Sequence, residues 1–206
     1  MKKNILKSIL FLVFIFSPIL LYAQKKQLAT ARESLKTGKE LVKAEKSMQN
    51  LLEDSVNRTN TKIWVMLCDI LMKQYEQGNE KLYLKQQYDT AAFFSVTKRM
   101  YETMAKFDSI DAHLNMPSPV LPKYRERHAQ FLNSIRPNLF NGGTYFLHVK
   151  DYKTAYDYFD NYIKTDKQSL FIGYDYEHKD DLMPHAAYWA MYCGYKLGDT
   201  EKTMRY

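Results

Sequence analysis

Residues 138–167 read NLFNGGTYFLHVKDYKTAYDYFDNYIKTDK, and this stretch decides the fold. Small and aromatic residues stand at Gly143, Phe146, Tyr152, Ala155 and Phe159, at offsets of three, six, three and four. Offsets of three and four place side chains on one helical face. The polar turn Val149 to Tyr152 interrupts the pattern, so the stretch predicts two short antiparallel helices. Glycine and alanine at the crossing let the helices approach, and the rings fill the space beside them. A unit of this kind buries its apolar face by stacking on neighbours.

Outward from this hairpin, the same periodicity recurs. Leu28, Ala31 and Leu35 predict a helix broken at Gly38, and Leu41, Ala44, Met48 and Leu51 predict its partner. The polar residues 54–61 read as a loop, with Asn60 or Thr61 as N-cap. Trp64, Leu67, Cys68, Leu71 and Tyr75 line a helix predicted to end at Gly78. A polar connection over 79–87 then leads to a long helix over 89–108. Three of the six prolines fall within 115–122, which marks the main break. A helix over 123–135 follows, and Pro137 suits the first turn of the next. Residues 169–183 read as an irregular connection, 185–197 as a helix closed by Gly198, and 200–206 as the start of another. No strand or hairpin-turn signal stands out. The expected fold is all-α, a solenoid of antiparallel helical hairpins. Its expected divisions are 1–23, 24–114, the break at 115–122, and 123–206.

The first 23 residues carry a targeting pattern. Lys2, Lys3 and Lys7 precede the apolar run Ile9 to Leu21, and Ala23 offers a small residue before Gln24. The run is short for a membrane span, so the expectation is a cleaved signal peptide and an exported, periplasmic chain; the alternative is an uncleaved N-terminal anchor, which the run's length and Pro18 disfavour. Its removal lowers the formal charge from +7 to about +4. No basic run accompanies a nucleic-acid-binding motif. Cys68 and Cys193 lie in apolar helical stretches and read as buried thiols, although export would allow them to pair.

Catalytic and metal signatures are missing from the sequence. There is no nucleophile elbow, phosphate-cradling glycine loop or HExxH. Glu177, His178, Asp180, Asp181 and His185 include metal-ligand types without a metal-site spacing, and read as a solvated loop. His128 and His148 are isolated and read as surface residues. No cofactor, metal or catalytic residue is expected.

The hairpins resemble tetratricopeptide repeats, best at 139–167, in the second helix only at 39–52, and through Lys196 to Asp199 at 188–206. The likeness covers about half of the chain after residue 23. The Gln after the cleavage point and the richness in Tyr and Lys are similar to exported repeat proteins of Bacteroidetes-type bacteria. The resemblance implies an α-α superhelix with a concave surface lined by the first helix of each hairpin. That surface would present Phe140, Thr144 and His148 from one repeat, and His185, Tyr188, Tyr192 and Lys196 from the next. The last four follow i, i+3, i+7, i+11 and share a face. Trp189, Cys193 and Leu197 form the adjacent face, and one of the two must pack inward.

The implied function is a non-enzymatic scaffold or adaptor that binds a protein or peptide partner in the cell envelope. The alternatives are a glycan-binding accessory of nutrient uptake, which the core-like setting of Trp64 and Trp189 disfavours, and the N-terminal part of a longer enzyme. The pattern ends in mid-helix, as it would in the front part of a longer protein, and it does not decide whether the chain continues past Tyr206. Asp54-Ser55-Val56, Asp89-Thr90-Ala91 and Asp108-Ser109-Ile110 resemble the O-glycosylation acceptor pattern of such exported proteins, and equally suit helix ends.

Overall fold

A computed structural model describes residues 23–114 and 121–206. The proposed signal segment, except Ala23, and most of the proline-rich break lie outside the described residues. Among the described residues every regular element is a helix. The fold is all-α. The chain divides into two compact units, Met1–Gln74 and Tyr75–Tyr206.

The first unit contains α1 (residues 23–37), α2 (Leu41–Glu53) and the front of α3 (Thr61–Tyr83). Gly38 adopts φ 68° and ends α1, and Glu40 opens α2 from the left-handed region. Ala31, Leu41, Ala44, Met48, Leu67 and Cys68 are buried, at the helical spacing read from the sequence. Asn60 caps α3 as expected, its Oδ1 accepting from the Lys62 N–H at 3.1 Å. Glu45 is buried in α2 and is satisfied by Gln74 of α3 at 2.7 Å and by Gln49 at 3.1 Å.

The second unit continues α3 and adds α4 (Thr90–Leu114), α5 (Arg125–Ile135), α6 (Pro137–His148), α7 (Tyr152–Lys164), α8 (Tyr176–Lys179), α9 (Leu182–Leu197) and α10 (Thr200–Thr203). Gly78 does not end α3. A Cβ there would meet the Tyr88 ring at 2.9 Å, so this glycine admits a ring from the returning chain instead of stopping the helix. The helix therefore takes up half of the expected polar connection.

The α6–α7 hairpin forms as predicted. Pro137 occupies the first turn of α6, where its missing N–H has no intrahelical partner to lose. Lys150 takes the left-handed position after α6 at φ 62°, and Asp151 caps α7 by accepting from the Thr154 N–H at 3.0 Å. Two adjacent glycines make the close approach possible. A Cβ on Gly142 would meet the Tyr158 ring, and one on Gly143 the Phe159 ring, each at 2.7 Å. Gly143 thus faces the Phe159 ring, about one helical turn beyond the expected partner Ala155, which is itself fully buried.

α7 packs on α6 from one side and α9 from the other, and α4 packs on α6 and α5. Tyr101, Phe107, Tyr158, Phe159, Tyr162 and Phe171 are fully buried and are the largest side chains of the core. Each large apolar side chain taken from water contributes about 1.5–3 kcal/mol. α9 ends at Gly198, φ 66°, as read from the sequence. α10 stops after Thr203, and the chain then folds back so that the Tyr206 hydroxyl donates to Asp160 of α7 at 2.6 Å.

Candidate functional site

α9 is amphipathic in an unusual way. Its inward face is made of Ala186, Ala190, Cys193 and Gly194, all buried, which lets α7 and the 200–206 segment lie close. At Gly194 a Cβ would come within 2.6 Å of the Thr203 backbone nitrogen. Burial pushes the Cys193 thiol up to about 11. Cys193 is therefore a protonated packing residue, and both cysteines are buried.

The small inward face turns the large side chains of α9 outward. His185, Tyr188 and Lys196 are exposed and Tyr192 is half-buried. Of the two candidate faces, the tyrosine face is the more open. Trp189 is half-buried instead of core, and packs edge-on against both Tyr188, at 5.0 Å, and Tyr192, at 5.7 Å. Tyr152 of α7 adds a fourth ring, 6.3 Å from Tyr192. Lys196 Nζ lies 5.3 Å from the Tyr192 centroid and 5.9 Å from that of Tyr195. The result is a surface strip of interlocked rings with a cation at one end. Rings held by one another lose little freedom on binding and offer apolar area with polar tips.

The α6 residues are placed differently. Phe140 turns toward α7, edge-on to Phe159 at 5.5 Å and to Tyr162 at 5.8 Å. The Thr144 hydroxyl donates to the Phe140 carbonyl, and His148 is exposed in the last turn. Among the described residues, no hydrogen bond or ring contact joins these three to the four on α9. A further hollow, of about 370 Å³, lies between α1 and α2, floored by Ala31, Ser34 and Ala44 and edged by Lys26 and Lys43. Small residues at matching positions of the two helices were its only sequence signal.

The acidic loop is structural. The Asp180 carboxylate pairs with Arg136 and accepts from the Tyr162 hydroxyl at 2.6 Å. Arg136 is buried between α5 and α6, its guanidinium sandwiched between the rings of Tyr162 and Tyr176 at 3.7 and 3.8 Å. It also donates to Thr165 Oγ1 at 2.9 Å and to the Tyr162 carbonyl at 3.2 Å. Burial alone would raise the Asp180 carboxyl, but the bonds from Arg136 and Tyr162 outweigh it and hold it below the usual carboxylate range. Glu177 pairs with Lys167, and His178 with Asp175. Among the described residues no group of three or more His, Cys, Asp or Glu is placed to hold a metal ion.

His128 is a correction. It is buried, not on the surface, and packs against Phe107 and in a stacked arrangement with Tyr124. Burial, helped by the neighbouring Arg127 charge, lowers it to about 4, against the opposing pull of Asp108 and Asp111. The reason lies in a contact between α4 and α5. Asp108 is buried in α4 and forms a two-pronged pair with Arg125, both contacts at 2.8 Å, which draws the start of α5 inward and His128 with it. Asp108-Ser109-Ile110 lies within α4 with Ser109 exposed, and Asp89 caps α4 by accepting from the Ala92 N–H at 3.1 Å. Only Asp54-Ser55-Val56 is exposed throughout.

No protein-family model, curated protein or solved structure matches the chain. The class that the fold defines is all-α, built of packed helices.

Proposed function

We propose that the protein is an exported, non-enzymatic scaffold of the tetratricopeptide kind that holds a protein or peptide partner in the cell envelope. The observation that carries this reading is the α9 strip of Tyr188, Trp189, Tyr192 and Lys196, presented on a helix whose other side is fixed against α7. A rigid aromatic surface with a cation suits the burial of a partner's apolar side chains beside an acceptor group. The N-terminal targeting pattern supports export.

The half-buried Trp189, open to ring stacking beside Tyr188, also favours a second reading, a glycan-binding accessory. One experiment separates them. The chain and a variant with Tyr188→Ala and Tyr192→Ala are used to capture partners from an envelope extract and are passed over polysaccharide resin. A single protein enriched by the parent and lost with the variant is the expected result. Retention on the resin, lost with the same variant, would replace the first reading by the second. Loss of neither with the variant would remove the α9 strip as the site.

A further inference from the structure

The charge of this chain is distributed unevenly. Lys/Arg and Asp/Glu are equal in number over residues 75–206, so the net charge of +7 lies upstream of Tyr75. Part of it belongs to Lys2, Lys3 and Lys7, and most of the rest to the α1–α2 hairpin. Lys25, Lys26, Arg32 and Lys36 on α1, and Lys39, Lys43 and Lys46 at the turn and on α2, are all exposed. Four acids share these helices, but Glu45 is buried and bonded to Gln74 and Gln49, which leaves Glu33, Glu40 and Glu53 at the surface.

The hairpin's cations also stand apart from a group of ion-paired cations further along the chain. In residues 75–206, Lys98, Arg125, Arg136, Lys164, Lys167 and Lys202 each stand within ion-pair distance of a carboxylate. Among the described residues, none of the hairpin's seven cations does. Even where an acid lies three or four positions away, as Glu33 does from Lys36 and Glu40 from Lys43, the pair is not formed. These charges are solvated and available.

Their arrangement is linear. Lys25, Arg32 and Lys36 follow i, i+7, i+11 and form one ridge along α1. Lys43 and Lys46 form a second on α2, with Lys39 at the turn between them. The α1 ridge runs for roughly 16 Å, from the rise per residue of a helix, while Lys43 and Lys46 stand about one turn apart on α2. The hollow between the helices mixes Lys26, Lys39 and Lys43 with Glu33 and Glu40, so it is not a cage for one anion. The geometry suits an extended anionic surface better than a single phosphate. The choice of surface rests on the proposed reading of Ile9 to Leu21 as an export signal: the hairpin is the segment that follows that run across the bilayer.

We propose that the α1–α2 hairpin is a docking surface for the anionic headgroups of a lipid bilayer, and that it holds the chain against the membrane. This is independent of the α9 strip, since none of its residues is shared. Each Lys or Arg beside an anionic bilayer contributes about fivefold in partition, so three contribute on the order of a hundredfold. The contribution falls with salt because the charges are exposed.

The test is co-sedimentation of the chain, as recovered from exporting cells, with vesicles of phosphatidylcholine alone or mixed with phosphatidylglycerol. The parent is compared with a Lys25→Gln, Arg32→Gln, Lys36→Gln variant. A second variant carries Lys85→Gln, Lys150→Gln and Lys153→Gln, which removes equal charge from exposed positions of 75–206. Far-UV circular dichroism confirms that both are folded. The expected result is a preference for the mixed vesicles that high salt abolishes, that the first variant loses by about a hundredfold and that the second largely keeps. Equal binding to both vesicle types, or equal loss in both variants, would overturn the proposal. So would binding of soluble polyphosphate as tight as that of the vesicles, which would show a phosphate site in place of a membrane surface.

Discussion

Gly143→Ala tests the packing of the α6–α7 hairpin through the sign of its effect. In an ordinary helix interior, replacing glycine by alanine stabilises by about 1 kcal/mol, because glycine has more backbone freedom to lose. Here the added Cβ would stand 2.7 Å from two atoms of the Phe159 ring and 2.9 Å from a third. Real carbon contacts need about 3.5 Å or more. Phe159 is fully buried, so the ring has nowhere to go without moving α7. Overpacking of this kind costs about 1–3 kcal/mol, which exceeds the propensity gain and leaves a net loss of about 1 kcal/mol. Gly78→Ala is the control. It meets the outer edge of the Tyr88 ring at 2.9–3.0 Å, but Tyr88 is half-exposed and can swing away. That variant keeps the propensity gain. The two should differ by about 2 kcal/mol, or by about 4–8 °C in melting temperature for a chain of this size. The assay is thermal unfolding followed by circular dichroism at 222 nm. If Gly143→Ala melts as high as Gly78→Ala, the ring of Phe159 does not occupy the place left by Gly143, and the hairpin register is wrong.

Two further expectations concern buried charge. With His128 at about 4 in the folded chain against an ordinary 6.5, the unfolded chain takes up the proton first, so stability is complete above pH 6.5 and is lost as the pH falls toward 4. The contribution is roughly 3 kcal/mol, and the urea midpoint of the parent should fall over this interval more than that of His128→Leu; parallel falls would refute the burial argument. Asp180→Asn leaves the Arg136 guanidinium buried without a countercharge and should destabilise by about 3 kcal/mol or more, and an unchanged melting temperature would show that Asp180 is not the partner that matters.

The elements legible in the sequence were those set by short-range pattern. The α6–α7 hairpin follows from residues three to six apart, and Asn60, Pro137 and Gly198 mark helix ends by their own backbone chemistry. Gly78 was misread because its role depends on Tyr88, ten residues away on a returning chain, and not on its own conformational freedom. His128 was misread because its burial is decided by the Arg125–Asp108 pair, which links two helices. Arg136 carried no signal, since a lone arginine before a proline says nothing of the two rings that enclose it. On α9, spacing placed the four outward residues on one face. It did not show which face would turn out, because that depended on the small residues Ala186, Ala190 and Gly194 being pressed against neighbouring chain.

The Arg136 sandwich has a bearing on how this chain could have been assembled. A helical hairpin that is self-contained can be copied, deleted or exchanged as a cassette. The α6–α7 hairpin cannot, because the cation at its entrance is neutralised by an acid 44 residues further on, in the approach to α9. Its second aromatic cover, Tyr176, also comes from that connecting segment. A cut after Lys164 would strand a buried charge. The self-sufficient unit in this part of the molecule therefore runs from Arg136 through the start of α9, half as long again as the repeat whose spacing is visible in the sequence, and a break anywhere inside it would part the cation from its countercharge.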